Sequence, residues 1–120
     1  MRRLGAIAAL LLALPAGAAW ARAHSASTAV GVGEREFRLY PYRTRAPHGT
    51  VRFNITNLGQ DAHNLQVRGP HSYRSATTPD IRSGQDFTLT AHLRRPGVYT
   101  LICTKPGHAA KGMTARFRVR

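Results

Sequence analysis

Apolar and polar residues alternate in several short segments of this chain, and a period of two is typical of strands with one buried face. The clearest example is the run Val51, Phe53 and Ile55, whose members are separated by polar residues. Turn-forming residues separate the segments, and none has a helical period longer than about two turns. The pattern predicts an all-β fold, an antiparallel β-sandwich of about seven short strands. Further strands are predicted near Phe37–Leu39, His63–Val67, Phe87–Leu93, Val98–Cys103 and Thr114–Val119.

The N-terminal segment has the pattern of a secretory signal peptide. Two arginines follow Met1, an apolar run extends from Leu4 to Leu14, and small residues lead to two Ala-x-Ala matches. We therefore predict a signal peptide over residues 1–21, cleaved after Ala21 or Ala23, and a periplasmic or otherwise exported protein. The alternative is an uncleaved membrane anchor, because residues 4–21 approach the length that spans a bilayer.

Residues 22–33 are small and polar, and they predict a flexible lead-in to a single domain at residues 34–120. Cleavage after Ala21 or Ala23 would place His24 at or near the new N-terminus. The amine, backbone amides and imidazole of such a terminus can chelate Cu(II) in a square plane. A chance position of His24 is the simpler interpretation.

The chain is strongly basic. Of 120 residues, 18 are Lys or Arg and 5 are Asp or Glu, and cleavage of the signal peptide removes two or three of the basic ones, leaving a mature charge of +11 or +10. This charge favours acidic protein partners or an anionic membrane surface. Nucleic acid is a poor candidate, because the chain is exported and has no basic run with interleaved aromatic residues. We expect a monomer.

The one cysteine, Cys103, ends a predicted strand and begins a loop that contains His108 and Met113. Four residues separate each neighbouring pair, and a proline and a glycine between Cys103 and His108 predict a tight turn. Such a loop can bring a thiolate, an imidazole and a thioether to one point. A soft thiolate with imidazoles suits both Cu(I) and Cu(II), and a distant thioether completes a trigonal site. The loop therefore predicts a copper site.

A site of this kind needs a second imidazole from another strand. His63 is the best candidate among the remaining histidines, because it follows a turn and begins a predicted strand. Asp61 is the only acidic residue close in sequence to a predicted ligand, and no nucleophile and base pair accompanies it, so no hydrolase or transferase site is predicted. The other histidines lie in turns, loops, a strand or the N-terminal segment, at His24, His48, His71 and His92.

The order of these residues resembles that of the small cupredoxins, the plastocyanin and azurin group, over residues 34–120. The four residues between Cys103 and His108 are similar to the azurin-type loop. The resemblance implies a Greek-key β-sandwich with one type 1 blue copper at one end. It rests on Glu36-Phe37, Val51 to Gly59, His63-Asn64, Ser83-Gly84-Gln85, Pro96-Gly97-x-Tyr99, Cys103, Pro106-Gly107-His108 and Gly112-Met113.

The resemblance also implies roles for individual residues. The copper ligands would be His63, Cys103 and His108, with Met113 as a weak axial ligand. Asn64 would brace the ligand loop through hydrogen bonds around Thr104, since outer contacts of this kind hold the geometry of metal sites. Separately from the resemblance, we expect an electron carrier with this site to exchange its electron through His108, inside an apolar rim formed by Pro106, Gly107, Ala109, Ala110 and Pro70.

The predicted function is a one-electron carrier between exported redox proteins, without enzymatic activity. A filled type 1 site has no open position for a substrate, and too few other ligands remain for a second copper centre. The alternative is a copper-handling protein that buffers or delivers the metal without redox exchange. Such a protein is expected to carry several exposed Met or His ligands on a mobile segment, whereas the mature chain has one Met.

Overall fold

The computed structural model describes residues 26–120, which form nine strands and one 3₁₀ turn. Three of these strands are not among those predicted: two have only two residues each, too short for periodicity to reveal, and the first begins within the predicted lead-in. The predicted signal peptide and His24 lie outside the described residues. The strands are β1 Thr28–Arg35, β2 Arg38–Pro41, β3 Arg45–Ala46, β4 Gly49–Asn57, β5 Gln66–Gly69, β6 Tyr73–Arg74, β7 Asp86–Leu93, β8 Gly97–Ile102 and β9 Thr114–Val119, and the 3₁₀ turn is Pro70–Ser72.

The strands form two sheets, a four-stranded one in the order β2-β1-β4-β7 and a five-stranded one in the order β3-β9-β8-β5-β6. The all-β sandwich is therefore confirmed. The prediction of an antiparallel sandwich is wrong in part, because β1 pairs with β4 and β3 pairs with β9 in parallel. A period of two reveals which face of a strand is buried, but not the direction of its neighbour. Within residues 26–120, no helix is long and apolar enough to cross a membrane.

The core lies between the two sheets. In β4 the side chains of Val51, Phe53 and Ile55 are buried, while the intervening Arg52 and Asn54 are exposed. In the opposite sheet Phe117 of β9 is fully buried, and its ring meets the Phe53 ring edge-on at 5.4 Å between centroids. Contact of the inner faces holds the sandwich together, because burial of large apolar side chains is the main favourable term in folding.

The first strand begins inside the segment that the sequence predicts to be a loose lead-in. Val30 and Val32 are each 1% exposed and belong to the core. They alternate with small residues, which hid the period of two. One of these, Gly31, faces the Tyr42 ring, where a Cβ atom would lie 2.6 Å from the nearest ring carbon. Residues 28–33 are thus part of the folded domain.

The candidate metal ligands lie at one end of the sandwich. Strand β8 ends at Ile102, β9 begins at Thr114, and the loop between these antiparallel neighbours contains residues 103–113. His63 precedes β5 and forms an isolated antiparallel bridge with Ile81. The turn between β1 and β2 reaches the same end, because the Glu36 side chain contacts His63.

Candidate metal centre

Three side chains converge here: His63, Cys103 and His108 place their ligand atoms within 4.8 Å of one another. The Nδ1 atoms of His63 and His108 are 3.2 Å apart, and Cys103 Sγ lies 3.5 Å from His108 Nδ1. Nitrogen and sulfur ligands bind transition ions at about 2.0 Å and 2.3 Å, so ligands of a single ion are separated by about 3 to 4 Å. The spacing of these three atoms therefore fits one bound ion.

The backbone fixes the position of His63. Its amide donates to the Ile81 carbonyl at 3.1 Å, and the Ile81 amide donates back to the His63 carbonyl at 2.7 Å. Both side chains are buried, at 0% and 2% exposed. The backbone of His63 is thus held by a segment 18 positions further along the chain, and burial of the side chain limits the movement of its ring.

Backbone hydrogen bonds close the ligand loop. The Cys103 amide donates to the Met113 carbonyl at 3.2 Å, and the Met113 amide donates to the His108 carbonyl at 3.1 Å. The chain turns at Gly107 with a φ of +80°, which favours glycine. Met113 is fully buried at the end of this loop. Its role as axial ligand stays a prediction.

Asn64 and Thr104 connect the two segments that carry the ligands. The Thr104 amide donates to Asn64 Oδ1 at 2.7 Å, and Asn64 Nδ2 donates to Thr104 Oγ1 at 2.9 Å. Asn64 follows His63 and Thr104 follows Cys103, so each bonded residue is the neighbour of a candidate ligand. The pair restrains the distance between imidazole and thiol, and it is the pair that the resemblance implies.

Among residues 26–120, the acidic side chain that contacts a candidate ligand is Glu36, a contact that no local pattern in the sequence predicts. Its Oε1 accepts a hydrogen bond from His63 Nε2 at 3.0 Å, and it also accepts from the Gln60 and Asp61 amides at 2.7 Å each. The Asp61 amide bond, foremost among these contacts, lowers the pKa of Glu36 to about 2. Glu36 is therefore a carboxylate, and Asp61 contributes its backbone here rather than its side chain.

Phe37, the next residue, lies against the other imidazole. Its ring meets the His108 ring edge-on, with centroids 4.8 Å apart at an angle of 72°. Lys111 Nζ lies 4.3 Å from the centre of the Phe37 ring, a cation–π distance. The turn between β1 and β2 thus contacts both histidines, Glu36 at His63 and Phe37 at His108.

Burial also affects the protonation of the two loop donors. It raises the pKa of the Cys103 thiol, whose side chain is fully buried. It lowers the pKa of His108, and the neighbouring His63 lowers it further. A bound cation acts in the opposite direction on a thiol, because a coordinating thiol is deprotonated outright. His108 is the partly exposed member of the three, and it keeps a neutral imidazole available for a metal.

A second acidic residue is buried close by. Glu34 in β1 is 0% exposed, and its carboxylate oxygens have no hydrogen-bond partner among the described residues. Burial raises its pKa to about 7. Electrostatic interaction with Glu34 contributes to the raised pKa of Cys103.

The surface around His108 matches the predicted apolar rim in part. Pro106, Gly107 and Ala110 are exposed, and Ala109 is half-buried. Pro70 does not belong to this rim. It lies beside Gly97, the first residue of β8, whereas Cys103 follows the last residue of that strand. Pro70 is therefore at the opposite end of β8 from the ligand loop.

No family model and no curated protein matches the chain. Several solved structures, however, are similar to it in fold. A reduced auracyanin from the photosynthetic bacterium Roseiflexus castenholzii superposes with a TM-score of 0.64 at 22% identity, covering 80% of this chain and 98% of that one. The chain has the cupredoxin fold.

Two further structures with the cupredoxin fold agree. Rusticyanin from Thiobacillus ferrooxidans has a TM-score of 0.64 at 19% identity, covering 78% of this chain and 77% of its own. Auracyanin A from Chloroflexus aurantiacus, described as a "blue" copper protein, has a TM-score of 0.64 at 21% identity and is covered completely by 79% of this chain. The cupredoxin fold predicted by resemblance is confirmed, and in this chain it brings one thiol and two imidazoles together at one end.

Proposed function

We propose that this protein is an exported type 1 copper protein that carries single electrons between redox proteins. The observation that carries the proposal is the group His63, Cys103 and His108, with a thiol and two imidazoles within 4.8 Å of one another. Auracyanin A, of similar fold, is described as a "blue" copper protein. The same donor set in this chain supports one copper ion per chain, with Met113 as the predicted axial ligand.

The donor set favours copper over other ions. A thiolate with two imidazoles and a distant thioether is the arrangement of electron-transfer copper sites, whereas structural zinc sites use four strong ligands. When bound, copper supplies one-electron exchange between Cu(II) and Cu(I). Cys103 and His63 are fully buried, and with His108 and the predicted axial Met113 the proposed ligand set has no open position for a substrate. We therefore expect no enzymatic activity.

The hydrogen bonds around the donors support a carrier. His63 is hydrogen-bonded to Ile81 and Asn64 is hydrogen-bonded to Thr104, and each bond joins two segments that are distant in sequence. A rigid set of donors moves little between two oxidation states, so the reorganisation that slows electron exchange is small. His108 is the partly exposed donor, and we infer that its ring edge is the point of electron exit.

Export and partners are further parts of the proposal. The signal-like segment before Ala23 supports a periplasmic or otherwise exported protein. The charge of the mature chain, +11 or +10 after removal of two or three of the 18 basic residues, supports acidic redox partners, and an anionic membrane surface is a further candidate. Association with an acidic partner should slow as salt shortens the Debye length toward about 8 Å.

The first experiment is an absorption spectrum of the purified mature protein loaded with copper. We expect one copper per chain and an intense visible band from thiolate-to-copper charge transfer. Cys103→Ser should remove the band, and Thr104→Ser, which keeps the hydroxyl beside it, should retain it. A colourless Cu(II) complex of the unmodified protein contradicts the proposal.

A second experiment separates the carrier from a copper-handling protein. Electron self-exchange is measured for the unmodified protein and for Ala109→Glu, which adds a charge beside His108, with Ala26→Glu near the start of the described chain as the matched control. A carrier shows slower exchange in Ala109→Glu, with the visible band intact. Slow exchange in all three, together with rapid transfer of Cu(I) to a chelator, supports copper handling instead.

A further inference from the structure

Glu36 reaches from the end of β1 to the segment that precedes His63. Its Oε1 accepts hydrogen bonds from the Gln60 amide, the Asp61 amide and His63 Nε2, at 2.7, 2.7 and 3.0 Å. We propose that Glu36 is a positioning residue of the metal centre, which fixes the tautomer and ring orientation of His63. The inference rests on the proposed function, because it assigns a role in the same metal site.

Backbone groups hold the carboxylate in place. Two amides bind it, so the position of Oε1 is set before His63 makes its contact. Gly59 contributes by lacking a side chain, since a Cβ atom there would overlap the Glu36 carboxylate. Close packing against Gly59 and hydrogen bonds from the next two amides hold Oε1 in one position, at the Nε2 edge of the imidazole.

The contact determines which nitrogen of His63 is free. A carboxylate oxygen only accepts hydrogen bonds, so Nε2 of the neutral ring carries the hydrogen and Nδ1 keeps its lone pair. That Nδ1 atom is the one that lies 3.2 Å from His108 Nδ1, inside the donor group. Without Glu36 a neutral imidazole could exchange hydrogen between its two nitrogens, and a fraction of the chains would present a protonated Nδ1 to the metal.

The carboxylate also changes the strength of the donor. A metal-bound imidazole that donates its other N–H to a carboxylate is a more basic ligand, and loss of such a partner typically lowers metal affinity about 10- to 100-fold. Negative charge behind the ring stabilises Cu(II) more than Cu(I). Glu36 therefore favours the oxidised form of the site that we propose.

The experiment uses three variants of the mature chain. Glu36→Gln keeps an oxygen that can accept all three hydrogen bonds but removes the charge. Glu36→Leu removes the acceptor. Asp80→Asn is the matched control, because it removes one carboxylate that is bound to Lys105 of the ligand loop and makes no hydrogen bond to His63.

The first readout is the tautomer of His63 in the metal-free protein, from long-range ¹⁵N–¹H spectra. We expect the Nε2–H form in the unmodified protein, in Glu36→Gln and in Asp80→Asn, and a mixture of tautomers in Glu36→Leu. If Glu36 only held the Gln60 and Asp61 amides, the tautomer of His63 would be the same in Glu36→Leu as in the unmodified protein. An unmodified protein in the Nδ1–H form, or a Glu36→Leu variant still wholly in the Nε2–H form, overturns the proposal.

The second readout is Zn(II) affinity, measured by competition with a chelator. We expect a loss of about 10- to 100-fold in Glu36→Leu, a smaller loss in Glu36→Gln, and a change of less than about twofold in Asp80→Asn. Equal losses in Glu36→Gln and Asp80→Asn would indicate a general charge effect and overturn the proposal. If Glu36→Leu does not fold, the comparison of Zn(II) affinity between Glu36→Gln and Asp80→Asn decides whether Glu36 has this role.

The third readout is the reduction potential of the copper-loaded protein. Glu36→Gln should raise it, by about 59 mV for each tenfold by which Cu(II) affinity falls more than Cu(I) affinity. An unchanged or lower potential in Glu36→Gln contradicts the role of the carboxylate. A colourless unmodified protein contradicts the proposed function, while the tautomer and zinc measurements still decide the role of Glu36.

Discussion

The buried Glu34 makes the stability of this protein depend on pH in an unusual direction. Its side chain is 0% exposed and lacks a hydrogen-bond partner among residues 26–120, and burial raises its pKa from 4.5 to about 7. The folded chain therefore holds the proton up to about pH 7, whereas the unfolded chain releases it near pH 4.5. The folded state binds more protons between these values, so the unfolding free energy falls as pH rises through this window.

The size of the effect follows from the shift. A change from 4.5 to about 7 corresponds to a loss of at most about 3 kcal/mol, which is complete above pH 7 and absent below pH 4.5. Glu34→Gln removes the titration but buries an amide, whose NH₂ group adds one unpartnered donor hydrogen to the groups already unpartnered in the protonated carboxyl, a further cost of about 1 to 3 kcal/mol at every pH. The variant should therefore be no more stable than the unmodified protein at pH 5, and should gain relative to it by up to about 3 kcal/mol at pH 8.5.

Urea unfolding of the metal-free, reduced protein between pH 5 and 8.5 measures this difference. Metal-free protein is used because the charge of a bound ion would change the protonation of a nearby carboxyl. Asp86→Asn is the control, since it removes an exposed carboxylate from another strand. The reasoning is refuted if the difference between Glu34→Gln and the unmodified protein does not change with pH, or if Asp86→Asn reproduces it.

Three further predictions follow from the contacts at the ligand end. Met113→Leu should keep copper and the visible band while raising the reduction potential. Met113→Gln should lower the potential. Loss of copper from Met113→Leu would show that Met113 is a strong ligand or a structural residue. Asn64→Ala leaves the Thr104 amide without its partner, and it should lower Zn(II) affinity about 10- to 100-fold, unlike Asn54→Ala at an exposed position of β4. Gly59→Ala should displace the Glu36 carboxylate and lower the unfolding free energy by about 1 to 3 kcal/mol, and an unchanged denaturation midpoint would contradict that overlap.

The sequence predicts the ligand loop well because its information is local. Cys103 and His108 are close in sequence. The strand before Cys103 and the turn at Gly107 determine how the chain folds back to bring His108 beside Cys103. His63 could be predicted from a turn followed by a strand. In each case a residue type with distinctive chemistry lies beside a signal for local structure.

Other parts of the site depend on pairings that no local pattern reveals. Glu36 is 27 positions from His63, and the two meet because β1 lies parallel to β4 and the chain after β4 folds over its end. The pattern identified Asp61 as the nearby acidic residue, yet its backbone amide makes the contact. β1 was not predicted as a strand, because small residues separate Val30 and Val32. Parallel pairing and contacts across the end of a sandwich are properties of the tertiary structure.

The donors of the metal centre are far apart along the chain, with His63 and His108 separated by 45 positions. An unfolded chain cannot present them together, so a bound ion selects the folded chain and acts as a reversible cross-link between two segments. Each tenfold excess of free ion over its dissociation constant then adds about 1.4 kcal/mol to the unfolding free energy. For the exported copper protein that we propose, copper supply thus becomes a determinant of how long each molecule survives proteolysis, independently of electron transfer.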